Sequence, residues 1–290
     1  MSTTLLERLE NMPLDDHMNS ATHTLGVVHE QEDLDHMPIA TQVERVQSLL
    51  EQNRAYFKRW DDFNRMKSSI QNRIYGIIRQ ETNCTKSQCS KWHKRAFSEE
   101  VADDPLLQKI NSRAVIFEED RKRYAELEKG PAKEMVKCVE AMPIWEWAKD
   151  IRGCGPMVMA KLLAIWNPGN FPTIAKSWKR LGLAVIDGER QRKRTDKRLA
   201  VIHGYSPKRR SIVWQMEDCL HKGNGDGYYR EVYKERREYE KEMHPEWDHV
   251  KKPGFSYQRA RRYMIKRFIK NMWCEWRKLE GTYTPDPNGY

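Results

Sequence analysis

At 290 residues the chain is long enough for one domain or two, each with a workable core, and 32% charged with 10% aromatic residues describes a globular protein with a highly charged surface. No apolar run approaches bilayer length, and the first residues carry no basic segment followed by an apolar one, so spanning and secreted classes are set aside. The expectation is a cytoplasmic protein, nucleoid-associated in a bacterial host, whose six cysteines are reduced thiols.

Residues 1–40 read as a loosely ordered N-terminal arm with a short helix near Leu5–Asn11. The clusters Asp15-Asp16 and Asp33/Asp35 lack a strand-like run around them, so they are not read as metal carboxylates. From 41 to 132 the pattern is a long helical hairpin of coiled-coil character. Val43, Val46, Leu50, Phe57, Trp60, Phe63, Met66, Ile70, Ile74 and Ile77 step by threes and fours, with one gap at Asn53. A second helix opens at Asp104-Pro105, carries Leu107, Ile110, Ala114, Phe117 and Tyr124, and ends at Gly130-Pro131. The two are expected to pair antiparallel, and a homodimer through them is one expected partnership. Between them lie Cys84, Cys89 and His93. Zinc needs four ligands, Cys138 would be a distant fourth, and free cysteines in a loop are the preferred reading.

Residues 133–280 form the second expected domain, and 281–290 a flexible tail. Its centre is Ile151-Arg152-Gly153-Cys154-Gly155-Pro156, with helical spacing before it (Ile144, Trp145, Ala148) and after it (Val158, Leu162, Ile165). Two glycines relieve the steric limits of a tight turn, and a proline suits the first position of a helix. Such a corner can aim backbone N–H groups at an anion where the helix dipole also favours one. It can equally be a tight turn between two core helices. Thr173 or Ser177 opens a short helix ending at Leu181-Gly182-Leu183, and Asp187 to Arg198 reads as an exposed loop or ribbon. Further helices begin at Ser206-Pro207, at Tyr228 and at Ser256. The last has an apolar stripe including Met264, Phe268, Met272 and Trp276, with Arg261, Arg262, Lys266, Arg267 and Lys270 around the rest. The fold class is all-α: an antiparallel helix pair followed by a helical domain containing a helix-hairpin-helix.

The net charge of +10 is unevenly spread. Lys176 to Trp214 holds twelve Lys and Arg against three acids, and Lys251 to Lys278 holds ten against Glu275 alone, so the remainder is acidic. Segregated positive charge is the footprint of a polyanion. The candidate nucleic-acid-binding residues are Gly153, Gly155 and Pro156 at the corner, with Lys161, Lys176, Lys179 and Arg180 beside it. To these are added Arg190, Arg192, Lys193, Arg194, Lys197 and Arg198 in the loop, and Lys208, Arg209 and Arg210 at a helix start. Trp178 and Tyr205 are candidates to stack on unpaired bases, with core packing the expected fate of Trp178. Backbone-directed binding of this kind suits DNA and does not exclude structured RNA. No histidine shows metal-ligand spacing and no Gly-rich phosphate loop is present, so no cofactor and no catalytic residue is expected.

The order of these motifs resembles the C-terminal half of transposases and recombinases of the insertion sequence 110/116/902 family. The carrying segments are Ile151 to Pro156 followed by Ala160 to Ala164, Phe171-Pro172, Leu181-Gly182-Leu183, Lys208 to Gln215, Tyr228 to Glu231 and Ala260 to Trp273. The resemblance covers about residues 41–280 and implies a coiled-coil spacer before a DNA-handling helical domain. The family cuts DNA with an N-terminal RuvC-like acidic domain, for which this chain has no room, and a serine expected after the Gly-Leu pair. The segment Ala184 to Asp196 has no serine, and Thr195 is its only hydroxyl. The implied function is a non-catalytic DNA-binding protein. The alternatives are a recombinase accessory subunit completed by a catalytic partner, a structured-RNA binder, and a coiled-coil interaction scaffold.

Overall fold

The structure, a computed structural model, describes residues 39–223, 227–247 and 254–282. The expected helix near Leu5–Asn11, the aspartate clusters of the arm, and residues 283–290 of the tail lie outside the described residues. Within them the architecture is all-α, broken by one two-stranded ribbon. The chain divides into two compact units: Gln52–Cys138, and a second formed by the segments on either side of it. The first turns of the long helix therefore belong with the C-terminal segment, where Gln47 Oε1 accepts from Asn167 Nδ2 at 3.3 Å and Leu50 is fully buried.

In the Gln52–Cys138 unit, α1 (Ile39–Thr82) and α3 (Pro105–Leu127) run antiparallel, with Phe63 near Tyr124 and Glu81 paired to Lys109 and Arg113. Ile70, Ile74 and Ile78 present one stripe to Leu107, Ile110 and Ala114, the spacing that keeps side chains on one helix face. Asn53, the gap in the apolar pattern, is itself fully buried. The N-cap of α3 is Asp104, whose carboxylate accepts from the amides of Leu106 and Leu107 at 2.9 and 3.2 Å, ahead of Pro105. Helix α2 (Cys89–Ala96) closes this core through Ala96. Gly130-Pro131 does not end the helical run. α3 stops at Leu127 and α4 (Lys129–Glu140) follows at once, with Pro131 in its first turn, where a missing N–H costs nothing.

The other unit contains α5 (Ile144–Ala148), α6 (Pro156–Ile165) and α7 (Ile174–Arg180). A ribbon of β1 (Val185–Ile186) and β2 (Glu189–Arg190) follows, and then α8 (Lys197–His203). Last come α9 (Pro207–Lys222), α10 (Tyr228–Met243) and α11 (Phe255–Leu279). Met264, Phe268 and Met272 of α11 are fully buried, as are Leu162 and Leu163 of α6 and Val213 and Met216 of α9. Tyr229 of α10 meets Phe268 edge to face, 5.3 Å between centroids. Thr173 caps α7, and Gly182 at φ 76° ends it, with Leu183 N bonding back to Trp178 O at 2.8 Å. That is a Schellman stop, which needs a left-handed residue at this position. Ser206 caps α9 ahead of Pro207, as the sequence predicts.

The stretch 187–198 is more ordered than expected. Asp187 and Gly188 take positive φ at 51° and 76°, the geometry of a tight hairpin turn. Val185 pairs with Arg190, and Asp196 caps α8 by accepting from Leu199 N at 2.8 Å.

Candidate nucleic-acid interface

The corner at Ile151–Pro156 forms, but half of it faces inward. Helix α5 is short, Ile151 N bonds to Ala148 O at 3.1 Å, and Cys154 N bonds to Ile151 O at 2.9 Å. The Cys154 amide is therefore consumed inside the turn, and its thiol is buried, which pushes it up to about 12. Gly153, at φ 86°, sits against the C-terminal end of α9. Gly223 in turn approaches it so closely that a Cβ there would lie 3.1 Å from Gly153 N. Gly153 thus serves a close backbone approach between helices rather than an outward grip. Gly155 is exposed, has nothing within 4 Å of where a Cβ would stand, and starts α6 without a side-chain cap. Pro156 has no N–H, so the amides that the start of α6 leaves without an intrahelical partner are those of Met157 and Val158.

The first basic block is drawn into one assembly by a few buried donors. Gln191, 2% exposed, sends its side-chain amide to Lys179 O at 2.9 Å and to His203 O, and its Oε1 accepts from Ala184 N at 3.2 Å. Arg209 donates Nε to Arg180 O at 2.9 Å and Nη2 to Gly204 O at 3.0 Å. Burial, then the neighbouring Arg180, holds Arg209 below the usual guanidinium range. The end of α7, the ribbon, the end of α8 and the start of α9 are therefore fastened together through backbone carbonyls at helix ends.

On this frame Lys176, Lys179, Arg180, Arg190, Arg192, Lys193, Lys197, Arg198 and Lys208 are exposed. Lys161 is half-buried on α6. Arg194, expected free in a loop, is paired with Glu189 and lies 3.3 Å from His203 Nε2. Glu189 also reaches Arg192 at 3.4 Å, and these arginines draw its carboxyl below its ordinary value. Arg210 is held by Glu217 at 3.0 Å, and Arg209 by carbonyls, so both are structural in part. Among these cations stand exposed apolar side chains, Val185, Leu199, Val201 and Ile202, with Val201 at 81% the most open.

Within the second basic block, Arg261, Arg262 and Lys266 are turned inward, while Arg259 and Lys278 are exposed. Arg261 is 5% exposed and pairs with Glu217 at 3.0 Å and Asp218 at 3.2 Å. Arg262 donates to Ala184 O at 3.1 Å, and Lys266 lies over the Trp178 ring at 3.9 Å. Trp178 also donates to Lys266 O at 3.3 Å, so it is fixed by packing, as expected, and not free to stack. Long aliphatic stems let these cations cover the core while their heads find internal acceptors. Gln191 and Arg262 carry no local motif. Their roles come from partners brought together by folding.

Cys84 and Cys89 approach to 3.7 Å between sulfurs, but His93 faces Glu118 at 3.0 Å. Among the described residues no three His, Cys, Asp or Glu side chains gather as metal ligands, and no helix is long and apolar enough to cross a membrane. In comparisons with known proteins no family model matches the chain, and neither a curated protein nor a solved structure does so.

Proposed function

We propose that the chain binds nucleic acid, double-stranded DNA foremost, through the exposed cations of the α7–ribbon–α8 assembly and the start of α9. The observation that carries this reading is the stapling by Gln191 and Arg209 of four basic segments into one frame. A fixed array of lysines and arginines neutralises successive phosphates without reading bases. The apolar side chains of α8 fit the same partner, since exposed apolar groups beside cations can press on sugars or between base steps. The order of motifs similar to the 110/116/902 transposases supports a DNA-handling origin, and the lack of the family's serine supports a non-catalytic role.

The test is anisotropy with a random duplex over a salt series. Log affinity falls by about 0.9 per neutralised phosphate for each tenfold rise in salt, so an array of several cations gives a steep line. A flat response, or no binding at about 50 mM salt, sinks the reading. Hairpin RNA of matched charge serves as the comparison, and tighter binding to it moves the assignment to structured RNA.

A further inference from the structure

Around Ala184 the arginines outnumber the carboxylates that could balance them. Arg210 gives Nη2 to Glu217 at 3.0 Å, while its Nη1 is buried without a hydrogen-bond partner among the described residues. Glu217 is also held by Arg261, and Asp218 is shared by Arg261 and Lys222 at 3.2 and 2.8 Å. Arg262 lies half-buried with a hydrogen bond to Ala184 O and no ion pair among the described residues. Arg190, whose strand partner Val185 follows Ala184, has no side-chain hydrogen bond or ion pair among them either. Tyr205 flanks this cluster: a Cβ on Gly182 would lie 3.3 Å from the Tyr205 ring and 3.5 Å from the Arg210 side chain. Burial, then repulsion from Arg210 and Arg190, lowers Arg262 to about 10, and burial with Arg262 lowers Lys266.

Among the described residues, half-buried Arg262 lacks a paired carboxylate and the buried Nη1 of Arg210 lacks an acceptor, a desolvation cost that a bound anion would offset. Guanidinium forks match tetrahedral oxyanions, to which they give paired, charge-assisted hydrogen bonds. We propose that Arg190, Arg210 and Arg262, with Tyr205 beside them, form a pocket for one phosphate group of a nucleic-acid strand. The proposal rests on the nucleic-acid reading above and deepens it. The exposed lysines and arginines hold a polymer by charge, whereas this pocket takes a single phosphate by directed hydrogen bonds. A terminal phosphomonoester and an internal phosphodiester share that chemistry.

The probe is inorganic phosphate, titrated into the full chain at constant ionic strength against sodium chloride, followed by calorimetry and thermal melting. Saturable binding is expected, weakened about tenfold or more in Arg262→Gln, the loss of one hydrogen bond to a charged group. Arg190→Gln, at an exposed position, should show the same direction without threatening the fold. Lys86→Gln, at an exposed cation of the Gln52–Cys138 unit, should leave phosphate binding unchanged. Oligonucleotides of one sequence with phosphorylated or hydroxyl ends separate the sources. A preference for the phosphorylated end that vanishes in Arg262→Gln assigns the terminal phosphate. An equal loss for both ends assigns the internal one. Stabilisation that does not saturate, or is identical in wild type and both arginine variants, overturns the pocket even if duplex binding persists. Saturable phosphate binding in a chain that binds no oligonucleotide keeps an anion pocket and overturns the nucleic-acid reading.

Discussion

Gly153 rests on the backbone of Cys219: a Cβ there would stand 2.7 Å from the Cys219 carbonyl carbon and 2.9 Å from Leu220 Cα, at a φ of 86°. Gly153→Ala must therefore accept a left-handed side chain and push α9 away from the corner. The expected loss is about 2 kcal/mol or more. Gly155→Ala meets no neighbour and should cost about 1 kcal/mol or less, through poorer capping of α6. Urea denaturation of the two variants compares these directly, and equal losses would contradict the packing role.

Gln191 ties the interface together from within. Its removal in Gln191→Ala strips a donor from Lys179 O and His203 O and an acceptor from Ala184 N, around a side chain that is itself only 2% exposed. A loss of about 2 kcal/mol is expected from the groups left unpaired. Duplex affinity should fall with it, because the cations keep their charge but lose their common frame. Unchanged melting and unchanged affinity together would remove Gln191 from the account.

Lys193, Lys197 and Arg198 separate binding from folding. They are exposed and have no ion pair among the described residues, so the triple alanine variant should stay within about 0.5 kcal/mol of wild type. Its salt slope should drop by about 0.9 for each phosphate no longer neutralised, similarly on unrelated duplexes. Arg209→Ala should do the reverse first, lowering stability, since both its donors serve helix-end carbonyls. A triple variant with the parental slope would show that the phosphates lie elsewhere.

His221 makes stability pH-dependent. Burial, then Arg230 and Arg261, lowers it to about 4, and both ring nitrogens lack partners among the described residues. Tyr233 and Tyr257 meet its ring edge to face. Below its ordinary value of 6.5 the unfolded chain takes up a proton that the folded chain refuses until about pH 4. Stability contributed by the neutral ring is thus present above 6.5 and is lost as pH falls through that window. Urea midpoints at pH 7 and pH 5 should converge in His221→Phe relative to wild type. An undiminished acid loss in the variant would place the titrating group elsewhere.

Turns and helix ends were readable from residues a few positions apart. Asp104-Pro105 and Ser206-Pro207 start helices because a side-chain oxygen reaches an amide two or three residues on, and Gly182 stops one because only glycine enters the left-handed region freely. Ile70 and Ile74, and Met264, Phe268 and Met272, follow from helical periodicity alone, and so does the all-α class, whereas the first stripe continues to the fully buried Ile78 where the pattern gave Ile77. The fate of the charges was not legible in this way. Arg261 finds Asp218 across 43 residues and Trp178 finds Lys266 across 88, and no local pattern distinguishes these cations from Lys193 or Arg198 on the surface. Long flexible stems allow a basic side chain to point either to solvent or to a distant acceptor, and three-dimensional packing selects between them. The same holds for Gly153, whose motif announced a turn while its approach to Cys219 came from a helix 66 residues further along the chain.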